Sequence, residues 1–251
     1  MKRKSNQLKK KPVKNSVKEH GIILELKNVC KIYYVGTQMI RALECMDFSI
    51  KRGEFVAVIG SSGSGKSTFL QVASMLSEPS KGSILLNGKD VTKYNEVERA
   101  RLRNKEIGFI FQQFNLLART RAIDNAALPL VYAGVSQAER EARATKLLTQ
   151  LGLEERLNNK PNELSGGQQQ RVAIARALIN NPSVIFADEP TGNLDSKSGT
   201  EVENILKDLH KQGTTIILVT HEKRLAKIAQ RIIELKDGKL LAEHKPPFNK
   251  L

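Results

Sequence analysis

The chain has 251 residues, a net charge of +15, 5% aromatic residues and no tryptophan. That length supports one large α/β domain, able to bury about 70–75% of its unfolded surface without staples. No apolar run approaches the ~18 residues of a membrane span. No apolar signal-peptide segment follows Lys11, and the scarcity of aromatics disfavours a base-stacking nucleic-acid platform. Cys30 and Cys45 form no metal-ligand spacing and read as reduced thiols of a cytosolic protein.

Residues 1–20 carry eight basic side chains, from Lys2 to Lys18, against Glu19 alone. Such a segment cannot bury a core and is expected to be a disordered, solvated tail. Attraction to anionic lipid, at about 1 kcal/mol per basic residue near the surface, is the next reading; nucleic acid comes last. Gly21–Val29 reads as a first strand, followed by Lys31–Gly36, and Ala42–Ile50 alternates as a half-buried strand. Lys51–Glu54 is a turn into the apolar run Phe55–Ile59, short enough for a buried strand.

Gly60-Ser61-Ser62-Gly63-Ser64-Gly65-Lys66-Ser67-Thr68 comes next and fits the phosphate-loop pattern G-x-x-x-x-G-K-[ST] without mismatch. Glycines let backbone N–H groups turn inward around an anion, and the following helix adds partial positive charge. In this pattern Lys66 reaches the β- and γ-phosphates and Ser67 offers its hydroxyl to Mg²⁺. The alternative, a flexible Gly/Ser turn, does not account for the strand before it and the helical spacing after it.

Ser83–Leu86 is a further strand, Asn95–Asn104 a charged helix, and Ile107–Phe111 a buried strand ending at Gln112. From Phe114 to about residue 165 only helical periodicity is visible, at Ala122–Tyr132 and Gln137–Leu151, as in a helical subdomain inserted into an α/β core. Ser165–Ile179 is a helix. Val184–Ala187 is a buried strand ending at Asp188-Glu189, and Lys197–Lys211 a helix. Thr214–Val219 is a buried strand ending at Thr220-His221, Lys223–Ala229 a short helix, and Arg231–Glu243 a hairpin around Asp237-Gly238. Pro246-Pro247 ends the ordered domain, placed at 21–245 and leaving 246–251 as a tail.

Four polar sites thus follow apolar strands. In a parallel sheet their C-terminal ends share one edge, where ligands bind. Asp188 would assist Mg²⁺ directly or through water, because a hard cation wants oxygen ligands. Glu189 is the better general base for an attacking water. Two acids ending a strand could merely cap the next helix, but after Val184-Ile185-Phe186-Ala187 an unliganded pair is costly. Leu164-Ser165-Gly166-Gly167-Gln168 opens a helix; Ser165 with Gln168 is a capping box needing no ligand. The two glycines sacrifice up to about 1 kcal/mol each, useful if amides must approach a phosphate closely.

The ordered set of phosphate loop, Gln112, Leu164–Arg171, Val184–Glu189, Thr191–Asp195 and His221 resembles that of the ATP-binding cassette ATPases, the nucleotide-binding subunits of ABC transporters. The resemblance covers roughly Gly21–Glu243. It implies a P-loop NTPase of α/β class: an ABC-type nucleotide-binding domain with a RecA-like core, an antiparallel β subdomain and an inserted α-helical subdomain. The stretches Leu164–Ala177 and Ala187–Asp195 look like the lipoprotein-release, macrolide-export and cell-division branch, which works with permeases of the FtsX/MacB kind.

The resemblance also implies roles. Two copies would dimerise head to tail, each ATP lying between the phosphate loop of one and Ser165-Gly166-Gly167-Gln168 of the other. Gln112 would contact Mg²⁺ and the attacking water, Asp195 would couple the two sites, and His221 would hold the γ-phosphate. Tyr33 would stack on adenine, with Tyr34 adjacent. Phe114–Val131 would dock a permease at the cytoplasmic face of a membrane, with Leu116 and Leu117 as exposed apolar candidates. The basic extension and Arg119 with Arg121 depart from the family core. A signalling ATPase that controls a partner without transport, and a nucleic-acid-linked member of the superfamily, are the other classes; the coiled-coil insertion of the latter's chromosome-maintenance members is missing here.

Overall fold

The computed structural model describes residues 21–245; the basic segment 1–20, with the disorder and lipid contact expected of it, and the tail 246–251 lie outside the described residues. Fully buried apolar runs make β3 (Phe55–Ile59), β7 (Val184–Asp188) and β8 (Ile216–Val219), with β6 (Ile107–Ile110) beside them. These four pair in parallel in the order β3-β8-β7-β6, and β9 (Arg231–Lys236) adds in parallel outside β3. The antiparallel hairpin partner β10 (Lys239–His244) closes that edge, giving six strands. Runs buried on both faces are what a parallel sheet covered by helices requires.

A second, antiparallel sheet has the order β2-β1-β4-β5, built from β1 (Ile22–Val35), β2 (Gln38–Lys51), β4 (Lys81–Leu86) and β5 (Lys89–Asp90). Helix α1 (Lys66–Ala73) packs between the two sheets, where the Phe48 and Phe69 rings meet edge to face at 5.1 Å. Helix α2 (Glu96–Glu106) leads into β6. Its N-terminus is fixed by Asn95, whose side chain accepts from the Glu98 N–H while Glu98 accepts from the Asn95 N–H. On the opposite face of the parallel sheet lie α5 (Gly166–Leu178), α6 (Ser196–Lys211) and α7 (Lys223–Ala226). Helices α3 (Ala122–Tyr132) and α4 (Gln137–Gln150) pack on α5 around Ala126, Leu130 and Leu148. Among the described residues no helix is long and apolar enough to cross a membrane.

Two expectations change, and one strand is added. The first strand does not stop at Val29: β1 runs on to Val35, after a register shift between Leu26 and Val29 where Asn28 has a φ of +49°. The two-residue β5 is too short to leave a pattern. The cysteines are not free thiols: Cys30 and Cys45 are disulfide-bonded across β1 and β2. The register passes from Val29↔Met46 to Lys31↔Leu43, so one residue of β1 faces two of β2. This bulge brings the two Cα atoms to 4.0 Å. A separation of 15 residues says nothing of such pairing, and the cysteine argument for a reducing compartment falls away. Thiol titration of the denatured chain is expected to find no free thiol before reduction and two after it; two before reduction would overturn the bond.

Candidate functional site

The parallel pairing puts four chain segments at one sheet edge: the loop after β3, Gln112 after β6, Asp188-Glu189 at the end of β7 and Thr220-His221 after β8. The loop 60–65 is held from behind by the rest of the fold. A Cβ on Gly60 would meet the Leu235 carbonyl at 2.3 Å, and Gly65, at φ +101°, would meet the Ala42 carbonyl at 2.7 Å. The Gly238 N–H donates to the Ser64 carbonyl at 3.0 Å, and Gly238 in turn accepts from the Glu44 N–H at 2.9 Å. Lys66 begins α1 and its ammonium donates to the Gly60 and Ser61 carbonyls at 2.8 and 2.9 Å. Ser64 Oγ is buried without a hydrogen-bond partner.

A groove of about 470 Å³ runs along this loop. Ser62, Gly63, Lys66, Ser67 and Thr68 line it together with Ile40, Arg41 and Asp237. Tyr33 pairs with Ile40 across the β1–β2 hairpin, so the two share a sheet face, whereas Tyr34 pairs with Met39 on the other face. Lys31 lies over the Tyr33 ring, 5.1 Å from its centre.

Glu189 sits at φ +44° with three donors around its carboxylate. Oε1 takes the His221 backbone N–H at 2.9 Å and faces His221 Nδ1 at 2.6 Å, while Oε2 accepts from Thr220 Oγ1 at 2.8 Å. Burial, then the neighbouring Glu189, push the Asp188 carboxyl above its usual range; the Lys66 charge offsets part of this. Gln112 turns to Asn193, with Nε2 donating to Asn193 Oδ1 at 3.3 Å and the Gln112 carbonyl accepting from Asn193 Nδ2 at 3.1 Å. Among the described residues no hydrogen bond joins Gln112 or Asp188 to Ser67.

The segment Ser165–Gln168 satisfies itself locally. Ser165 Oγ accepts from the Gln168 N–H at 3.3 Å, and Gln168 Oε1 accepts from the Ser165 N–H at 2.9 Å. A Cβ on Gly167 would lie 2.7 Å from Ser198 Oγ, whereas one on Gly166 would find only ordinary contacts. Asp195 caps α6, accepting from the Lys197 and Ser198 N–H groups at 3.0 Å each and from Ser198 Oγ at 2.8 Å. The Ser198 hydrogen bonds hold its carboxyl below the usual range. Among the described residues no hydrogen bond links 165–168 or Asp195 to the phosphate loop.

The family profile described as ABC transporter matches residues 43–192. The chain belongs to the ABC transporter family. It carries that family's nucleotide-binding ATPase cassette in a P-loop α/β fold. A Thermotoga maritima protein described as an uncharacterized ABC transporter ATP-binding protein is 47% identical over 218 residues, 87% of this chain and 93% of that one. The macrolide export ATP-binding/permease protein MacB of Campylobacter jejuni is 53% identical over 220 residues, 88% of this chain and 34% of that protein. The chain thus spans about a third of the length of its MacB relatives. Among solved structures, the dimeric post-hydrolysis state of the ATP-binding cassette MJ0796 bound to ADP and Pi superposes with a TM-score of 0.82. It has 45% identity and covers 89% of this chain and 98% of that one. CbiO1 from Clostridium perfringens, part of the ABC transporter complex cbiONQ, gives 0.79 at 30% identity, over 90% of this chain and 89% of that one.

Sequence reasoning passed over Thr220, Asn193, Ser198 and Ile40. Two of them left a signal: Thr220, as a hydroxyl between a buried strand and His221, and Asn193, inside the Thr191–Asp195 motif. Asp188 yields a stability test. Its folded-state carboxyl binds a proton more tightly than the unfolded chain does, so its cost is fully present at pH 7 and fades as pH falls through the folded-state value. Asp188→Asn is expected to raise the melting temperature of the nucleotide-free protein at pH 7–8. At this chain length about 2–4 °C corresponds to each kcal/mol. The gain should shrink toward acid; a loss at neutral pH would refute the desolvation argument.

Proposed function

We propose that this chain is the ATP-hydrolysing subunit of an ABC transporter complex. It would close head to tail with a second copy around two ATP molecules and drive a permease of the FtsX/MacB kind at the cytoplasmic face of a membrane. The observation that carries the reading is the convergence of the phosphate loop, Asp188-Glu189 and His221 on one sheet edge, with Glu189 hydrogen-bonded to His221.

Phosphoryl transfer is mostly positioning and charge neutralisation. The loop amides, the α1 N-terminus and Lys66 oppose the phosphate charge once the ammonium leaves its own loop carbonyls. Glu189 accepts the proton of the attacking water, and His221 shifts from Glu189 toward the γ-phosphate. The donors fit Mg²⁺: Ser67, Gln112 and Asp188 all offer oxygen, the ligand a hard cation prefers. Among the described residues no cluster of three His, Cys, Asp or Glu could bind a metal unaided, so phosphate oxygens would complete the shell. Bound there, Mg²⁺ would neutralise the charge developing on the phosphates. Tyr33, on the face it shares with Ile40, is the better adenine partner than Tyr34.

Residues 114–165 act as the inserted helical subdomain. Their docking role is supported by Leu117, exposed at 48%. Leu116 is not the second exposed anchor expected of it: it is half-buried against the α3–α4 cluster. Next to this segment, a groove of about 880 Å³ between α2 and the end of α3 exposes Val97 and Tyr132. These apolar residues suit a cytoplasmic segment of the permease. Buried Asn125 shapes the loop 117–121: its Oδ1 accepts from the Leu117 N–H, and its Nδ2 donates to the Leu117, Thr120 and Arg121 carbonyls.

Glu189→Gln is expected to retain ATP, accumulate as a dimer on size exclusion and release phosphate about 100-fold more slowly or worse. Normal turnover would remove Glu189 from the base role. Ser165→Ala should cost about 1 kcal/mol of stability through the lost cap. It should leave ATP binding to the monomer intact and lower turnover; unchanged turnover would sink the two-chain site.

A further inference from the structure

The three donors around Glu189 differ in how firmly they are held. The His221 side chain is 66% exposed, so its imidazole is free to turn toward a nucleotide. Thr220 is 0% exposed. Its N–H donates to the Val58 carbonyl at 3.1 Å, tying it to the strand before the phosphate loop. Its Oγ1 accepts the Glu222 N–H at 3.0 Å. It donates its proton to Glu189 Oε2, 2.8 Å away, because a carboxylate oxygen accepts. The Glu189 N–H in turn donates to the Val219 carbonyl at 2.9 Å, so carboxylate and hydroxyl stand on two adjoining strand ends.

We propose that Thr220 is a positioning residue for hydrolysis, its hydroxyl fixing the Glu189 carboxylate when the His221 ring leaves it. This rests on the reading of Glu189 as the base. Without that contact, Oε1 keeps only the His221 N–H and Oε2 has no donor. The carboxylate can then rotate, and its free lone pair is no longer aimed at one place. A base misplaced by a fraction of an ångström loses rate rather than affinity.

The experiment measures steady-state phosphate release by full-length Thr220→Val and Thr220→Ser, each in the wild-type and Glu189→Gln backgrounds. Melting curves and ATP-dependent dimerisation establish that each variant folds. Thr220→Val keeps the shape and removes the hydroxyl. It is expected to lower kcat about tenfold, the scale of one hydrogen bond to a charged group, with KM for ATP within about twofold. Thr220→Ser should recover most of the rate. In the Glu189→Gln background, Thr220→Val should change the residual rate less than about twofold, because the group it positions is gone. Equal kcat losses in the Ser and Val variants, or an undiminished tenfold loss in the Gln background, would overturn the proposal. Wild-type turnover by Glu189→Gln alone would instead sink the base assignment.

Discussion

Main-chain hydrogen bonding between β3, β8, β7 and β6 is the constraint on which the site depends. Because these strands run in parallel, every one of them ends at the same edge. Residues far apart in sequence, such as Lys66, Gln112, Glu189 and His221, are brought to a common line by pairing that involves none of their side chains. The strands are fully buried along almost all their length, and burial of each large aliphatic residue stabilises by about 1.5–3 kcal/mol. That burial sustains the half-buried Asp188 and the left-handed backbone of Glu189, neither of which a loosely packed strand end would tolerate.

Several polar groups of the site are paired within the single chain, though Ser64 Oγ is not. Lys66 closes on its own loop, Glu189 on Thr220 and His221, Gln112 on Asn193, Ser165 on Gln168, and Asp195 on Ser198. Each pairing satisfies a donor or acceptor that would otherwise be left wanting. Binding a triphosphate therefore exchanges internal hydrogen bonds for external ones. Its net energy is a difference between the bonds made and those given up, smaller than the new bonds alone would supply.

Much of the fold was legible because its signals were local. Runs such as Phe55–Ile59 and Ile216–Val219, the loop pattern at 60–68 and the helical spacing at Ala122–Tyr132 each declare themselves within a few residues. The disulfide was not legible: it depends on how β1 and β2 slip past one another at a bulge. The continuation of β1 past Val29 likewise depends on pairing with β2, where Ile32–Val35 meet Arg41–Gln38. In the site, residue types were readable but partners were not. Gly167 reads as an opening for a phosphate, yet it also makes room for Ser198 on a different helix. Thr220 gained meaning only once Glu189 stood beside it.

The phosphate loop leans on Ala42 from β2 and on Leu235 and Gly238 from the last hairpin. A peptide of residues 55–73 lacks every one of these props. Its glycines would wander among many shapes, few of them hospitable to a triphosphate. The Gly238–Ser64 contact joins chain segments roughly 170 residues apart, the kind of non-local pairing that slows folding. Nucleotide affinity in this molecule is accordingly a certificate that distant parts of the chain have been assembled.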